Sequence, residues 1–295
     1  MVIGNGNVIS PGVVSWWLFL CLVAALNVAM WSRSALELRR RRSSLPAASF
    51  AALRIQLMLS GVYVFGCAFR SVLPVYDIPR LCLFDTWLAD VAVGRSVATV
   101  AELAFASQWA LLLYATALAA NSLFARTVAC LLVPLIATAE VCSWYAVLTT
   151  SNLGHVAENS MWAISAALVI AAMLAILPRF EAPRRRVLSA WCVAGIAYVL
   201  FMARFDVPTY WARHVADEAT GHRFLTLAQG LADVSHHRVV SYSWQDWHTE
   251  VVWMTLYFSV AVWLSISLIN ARVPAMRLDD LKYPRVFPVS GRAQI

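Results

Sequence analysis

Seven long apolar blocks, separated by short polar stretches, constrain this chain more than any other feature. They run at about Gly12–Trp31, Leu53–Val75, Val91–Ala119, Thr127–Leu148, Ser160–Leu177, Leu188–Met202 and Val251–Ile269. A helix needs roughly 20 apolar residues to cross a hydrocarbon core about 30 Å thick. Inside that core every backbone amide must be satisfied within its own segment, so helices are the expected element. The fold class is therefore all-α: a polytopic seven-transmembrane-helix bundle in a lipid bilayer. The composition agrees, with 61% hydrophobic and 13% charged residues, against about 25% charged in a soluble domain.

Orientation follows from where the positive charge falls. The first block has no basic residue before it and Arg39-Arg40-Arg41-Arg42 after it. A cleaved signal peptide has the opposite order. The block reads as a retained anchor with the N-terminus outside. Sixteen of the 23 basic residues then fall in cytoplasmic segments, with only four of the 16 acids: Glu37, Glu181, Asp279 and Asp280. That bias follows the positive-inside rule and sets the C-terminus in the cytoplasm. The domain layout is one membrane domain over 1–270 and a polar, proline-containing cytoplasmic tail over 271–295. A multi-pass cell-membrane protein, in the bacterial inner membrane, is expected. The net charge of +7 is explained by these loops, so no nucleic-acid partner is expected.

One connection is long. Residues 204–250 are polar and aromatic and read as an external segment of one or two helices lying on the membrane surface, with Trp211, Phe224, Trp244 and Trp247 at headgroup depth. The sixth block ends before Arg204 and extends at most to Trp211. Two triplets, Asp77-Ile78-Pro79 and Asp206-Val207-Pro208, read as helix ends at which proline stops continuation. All six histidines fall on the external side. Five of the six cysteines lie in apolar runs, which marks them as small core residues.

Ionisable groups inside spans cost about 2.5–3.5 kcal/mol at the helix centre, and they usually carry function or pair with one another. Arg70, Arg95, Glu102 and Glu140 form that set here, with Gln108 as a neutral companion. Arg95 and Glu102 are separated by about 10 Å along the helix axis at 1.5 Å per residue. That separation predicts no direct pair. Glu102 and Glu140 sit at matching depths in the outer half.

A fifth helix beginning near Gly154, capped by Ser151 or Asn152, puts His155, Glu158, Asn159 and Trp162 on one face, at i, i+3, i+4 and i+7. The resulting metal hypothesis joins Glu102, Glu140, His155 and Glu158. Carboxylate and imidazole ligands suit iron, manganese or zinc. The external cluster around His237 and His248 is expected either to complete this site by closing over it or to stay apart. Arg70, Arg95 and Arg204 are the candidates for binding a substrate anion through bidentate contacts. The competing structural reading pairs Glu102 and Glu140 with Arg95 and Arg70 and leaves His155 and Glu158 at a helix end.

No G-x-S-x-G elbow, Walker loop or dinucleotide fingerprint is present. Three function classes remain. The first is a membrane-embedded metal-dependent enzyme with an outward-facing site for a lipid or other membrane-associated substrate. The second is a transporter or sensor using its carboxylates, for which Pro134 is the candidate helix break. The third is a non-catalytic subunit bound to a membrane-protein partner or to a second copy of the chain.

Overall fold

The computed structural model describes residues 2–3, 7–8 and 10–269. Seven helices are long and apolar enough to cross a membrane: Pro11–Arg40, Ala47–Val72, Val91–Ala119, Leu123–Thr149, Asn152–Arg179, Ala182–Ala219 and Trp244–Ile269. Each contains one of the expected apolar blocks or all but its last few residues. The expected tail over 271–295 lies outside the described residues.

The first five spans contain single α-helices: α1 (Pro11–Arg40), α2 (Ala47–Val72), α3 (Val91–Ala119), α4 (Leu123–Thr149) and α5 (Asn152–Ile176). Local chemistry fixes several ends. Pro11 opens α1 and Arg39 and Arg40 close it, where cations suit the negative end of the helix dipole. The Ser122 hydroxyl accepts from the Ala125 amide at the start of α4. Ser151 precedes α5 without a side-chain capping bond, and Asn152 instead donates to Asp217 at 2.7 Å, so the expected cap is absent. Pro134 lies inside α4 without breaking it.

The sixth span corrects the expected layout. α6 (Ala182–Phe201) passes through a π-helical turn, Met202–Asp206, into α7 (Val207–Ala219). The first helix expected in the external segment over 204–250 is thus continuous with the sixth span. Pro208 has no amide hydrogen to give. It sits in the first turn of α7, immediately after the wider π turn, where the missing donor is tolerated. The other triplet behaves differently: Asp77-Ile78-Pro79 lies in a turn beyond α2. The seventh span repeats the device, with α9 (Trp244–Leu256), a π turn at Tyr257–Ala261 and α10 (Val262–Ile269).

The end of the bundle between the sixth and seventh spans carries a cap. It contains α8 (Leu227–Asp233), which begins with a Thr226–Gln229 capping box. Beyond the pair β1 (Val2–Ile3) and β2 (Asn7–Val8), a small sheet joins β3 (Val75–Tyr76) antiparallel to β4 (Leu81–Cys82), and β4 parallel to β5 (Val239–Val240). Arg80 closes the hairpin with a left-handed φ of 58°. Its buried guanidinium donates to Asp233, to the Asp77 carbonyl and to the Val147 carbonyl, all within 2.8 Å.

Lipid tails are as apolar as leucine, so close packing and interhelical hydrogen bonds hold such bundles. Small residues line the seam of α3, α4 and α5, including Ala106, Ala117, Ala125, Ala129 and Ala172. Gly154 marks a close approach of α5 to α4: a Cβ there would lie 2.7 Å from the Ala146 Cβ and the Cys142 carbonyl. Away from the cap, Gln108 ties three spans together. It donates to the Gln56 and Ser265 carbonyls and accepts from the Ser265 hydroxyl. The six cysteines are free. Burial pushes the Cys82 thiol up, which suits a core residue rather than a nucleophile.

Candidate functional site

Near the capped end, three spans bring carboxylates to one point. Glu102 comes from α3, Glu140 from α4 and Glu158 from α5. One oxygen of each lies within 4.8 Å of the others, and all three residues are buried. The seven-residue step from Arg95 to Glu102 is two helical turns, so both share a face of α3. The Arg95 side chain lies along that face, and its Nη2 reaches Glu102 at 3.2 Å. The axial estimate counted backbone rise and left out the length of an arginine side chain, so the expectation of no direct pair is overturned.

The same Nη2 lies 2.7 Å from Glu140 and 3.6 Å from Glu158, and Nη1 lies 3.9 Å from Asp77. One guanidinium therefore faces four carboxylates. Further donors hold them. Tyr257, in the π turn of the seventh span, donates its hydroxyl to Glu102 at 2.8 Å. Thr99 donates to Glu140 at 2.7 Å and accepts from the Trp144 indole. The other Glu140 oxygen is buried without a hydrogen-bond partner, as is Arg95 Nε.

The expected face of α5 forms as the spacing predicted, and His155, Glu158 and Asn159 are all buried on it. His155 does not join the triad. Its Nδ1 lies 2.7 Å from Glu158 Oε2, so it orients a carboxylate from behind, and its ring packs on Tyr210 with centroids 4.9 Å apart. His237 and His248 are exposed and engaged elsewhere, with Asp233 and with the Gln245 carbonyl. Neither closes over the carboxylates, because each already sits in a local turn contact within its own segment.

The three arginines singled out as anion binders also separate. Arg95 is committed to carboxylates. Arg204 is exposed. Arg70 is buried with Nε and Nη1 unpaired, and it lies 5.8 Å from the Tyr257 and Phe258 ring centroids. The structural pairing of Glu102 and Glu140 thus holds for Arg95 and fails for Arg70.

A cavity of about 440 Å³ opens from the cluster. Arg95, Glu102 and Glu158 form its polar end, and Trp109, Trp162, Met173 and Trp191 are among its apolar walls. The two π turns border it through Met202, Tyr257, Val260 and Ala261. At the capped end, the sixth and seventh spans are tied by Arg213, which donates to Glu250 at 2.9 Å and lies over the Tyr76 and Tyr210 rings. Burial, reinforced by the Glu250 carboxylate, pushes the Tyr76 phenol up, which keeps it neutral in this contact.

Reasoning from sequence missed Tyr257 and the role of Asp77. A tyrosine in an apolar block carries no signal of its own. Asp77 was visible only as a helix-end marker. The chain matches no family model, no curated protein and no solved structure.

Proposed function

We propose that this protein is a membrane-embedded enzyme whose Glu102, Glu140 and Glu158 take up a divalent cation (iron, manganese or zinc) beside a lipid-phase substrate held in the cavity. The observation that carries this reading is the charge imbalance. Asp77, Glu102, Glu140 and Glu158 face a single Arg95 beside the polar end of the cavity. Buried charges that are not neutralised are costly, and a divalent ion supplies what one guanidinium lacks. Arg95 Nη2 lies between the three carboxylates, so an ion exchanges with it, freeing the guanidinium to meet a substrate oxygen. Such an ion acts as a Lewis acid or lowers the pKa of a bound water. His155 orients Glu158, as outer groups orient ligating carboxylates. The proposal includes the orientation that the basic residues favour: capped end outside, C-terminus in the cytoplasm, in the bacterial inner membrane.

Elemental mass spectrometry of the protein in mild detergent, beside Glu140→Gln, tests it. A near-stoichiometric transition-metal content that the variant loses is the expected result. No metal in either sample, or equal metal in both, overturns the reading.

One observation favours a second reading. Arg95 already fills the centre of the triad, as a proton- or ligand-gated ion pair in a transporter or sensor does. Uptake into proteoliposomes driven by a pH gradient, abolished by Arg95→Gln, is the outcome that distinguishes it.

A further inference from the structure

The cavity is deeper than a site for a small polar substrate requires. On α5 its lining runs from Glu158 to Met173, about 22 Å at 1.5 Å per residue. One leaflet of hydrocarbon is about 15 Å, half of the ~30 Å core. The walls below the cluster are indoles, a thioether and aliphatic chains, so the long dimension suits hydrocarbon.

The cavity also has a side entrance. The sixth span packs on the fifth and forms no comparable seam with the seventh among the described residues. Leu256 and Val260 line the cavity and are 42% and 40% exposed, so this edge opens toward lipid. Each of the two flanking spans carries a π turn at the cavity. Such turns widen a helix locally and recur at functional sites. Among the described residues the two spans meet in a charged pair at the capped end, Arg213 with Glu250.

The polar end limits the head of the occupant. The Arg95 guanidinium already occupies the centre of Glu102, Glu140 and Glu158, which leaves no free seat for a cationic head, and the carboxylates around it disfavour an anionic one. Hydrogen-bonding groups line the wall, among them Ser165, two turns deeper than Glu158 on α5 with its buried hydroxyl unpartnered among the described residues, and two nearer the head. Asn159 is 7% exposed, lines the cavity, and makes no side-chain hydrogen bond among the described residues. Tyr198 lines it two turns before α7 begins. An amide facing a mostly apolar cavity without a partner is costly, and a ligand head would satisfy it.

We propose that the cavity holds the hydrocarbon chain of a membrane lipid with an uncharged hydrogen-bonding head (a hydroxyl, ester or amide), which enters sideways between the sixth and seventh spans and is gripped at its head by Asn159 and Tyr198. The inference rests on the cavity being the substrate site of the proposed enzyme, and its test reads lipid rather than metal.

Native mass spectrometry after incubation with four probes of equal chain length decides it: a monoacylglycerol, a fatty acid, an alkyl phosphate and an alkyltrimethylammonium. The monoacylglycerol is expected to be retained about tenfold better than the charged probes. Asn159→Leu should lower its retention about tenfold, the effect of one good hydrogen bond to a buried group. Ala166→Trp, which fills the cavity from α5, should abolish retention while thermal unfolding stays cooperative. If that variant does not fold, Asn159→Leu decides alone. Equal retention of all four probes, retention undiminished in Asn159→Leu, or no retention of any probe overturns the proposal. Lipid bound by metal-free protein upholds it while the metal reading fails, and metal without lipid does the reverse.

Discussion

Arg80 and Arg95 are both buried arginines near the capped end, and the chain uses them in opposite ways. Arg80 meets one carboxylate and two backbone carbonyls, so each of its three nitrogens has its own acceptor. Arg95 directs one nitrogen at three carboxylates, has a fourth within 4 Å, and leaves Nε unbonded. The first arrangement is balanced and closed. The second is short of positive charge and incompletely bonded. A structural lock satisfies its groups, whereas a site keeps some unsatisfied until a ligand arrives. That contrast is why the Arg95 cluster is read as functional and Arg80 as a pin for the cap.

The largest expected effect breaks the lock. Arg80→Met leaves Asp233 with His237 alone and the Asp77 and Val147 carbonyls without their donor. Removal of one partner of a buried pair costs about 3–5 kcal/mol. Thermal unfolding in detergent should show a large loss, and proteolysis should cut first in the cap. A variant as stable as the parent would mean that the cap does not depend on Arg80, and the contrast would lose one side.

A smaller effect, with the opposite sign, is expected at the site. Glu102→Gln removes one of the excess negative charges and keeps a carbonyl to accept from the Tyr257 hydroxyl. The metal-free variant should therefore be more stable than the parent, by about 1–2 kcal/mol, the scale of one relieved like-charge contact. If Glu102 were a structural partner of Arg95 like Asp233 of Arg80, the same change would destabilise. Unfolding curves of both chelator-treated proteins separate these outcomes by sign. Addition of metal should then stabilise the parent and leave the variant unmoved, because only a ligand bound by the native state shifts its stability.

Legibility in the sequence follows the same division. The seven spans could be read because hydrocarbon imposes length and apolarity on any crossing helix. Glu102, Glu140 and Glu158 could be read because intramembrane carboxylates are rare and the i, i+3, i+4 pattern fixed a face of α5. The partner of the triad could not be read. Axial rise said nothing of how far Arg95 reaches. The π turns were hidden as well, since Asp206-Val207-Pro208 looks like a stop signal unless a wider turn precedes the proline. His237 and His248 drew attention through residue type alone. The charged pair their segment contributes is Arg213 with Glu250, which look like ordinary surface charges until two helix ends are brought together.

The smallest expected effect refines the site side of the comparison. His155 touches Glu158 and none of the other carboxylates of the triad, so it is a positioning residue. His155→Gln keeps a donor but loses the rigid ring stacked on Tyr210, and should weaken cation affinity about tenfold, the lower end for groups behind a metal ligand. The readout is metal competition against a chelator, with fold monitored separately. A merely structural histidine would lower thermal stability and leave the affinity of the folded fraction unchanged. A histidine that ligates directly would abolish binding. An intermediate loss, partly restored by His155→Asn through its shorter amide at the Nδ1 position, would mark Glu158 as the ligand and His155 as the group that aims it.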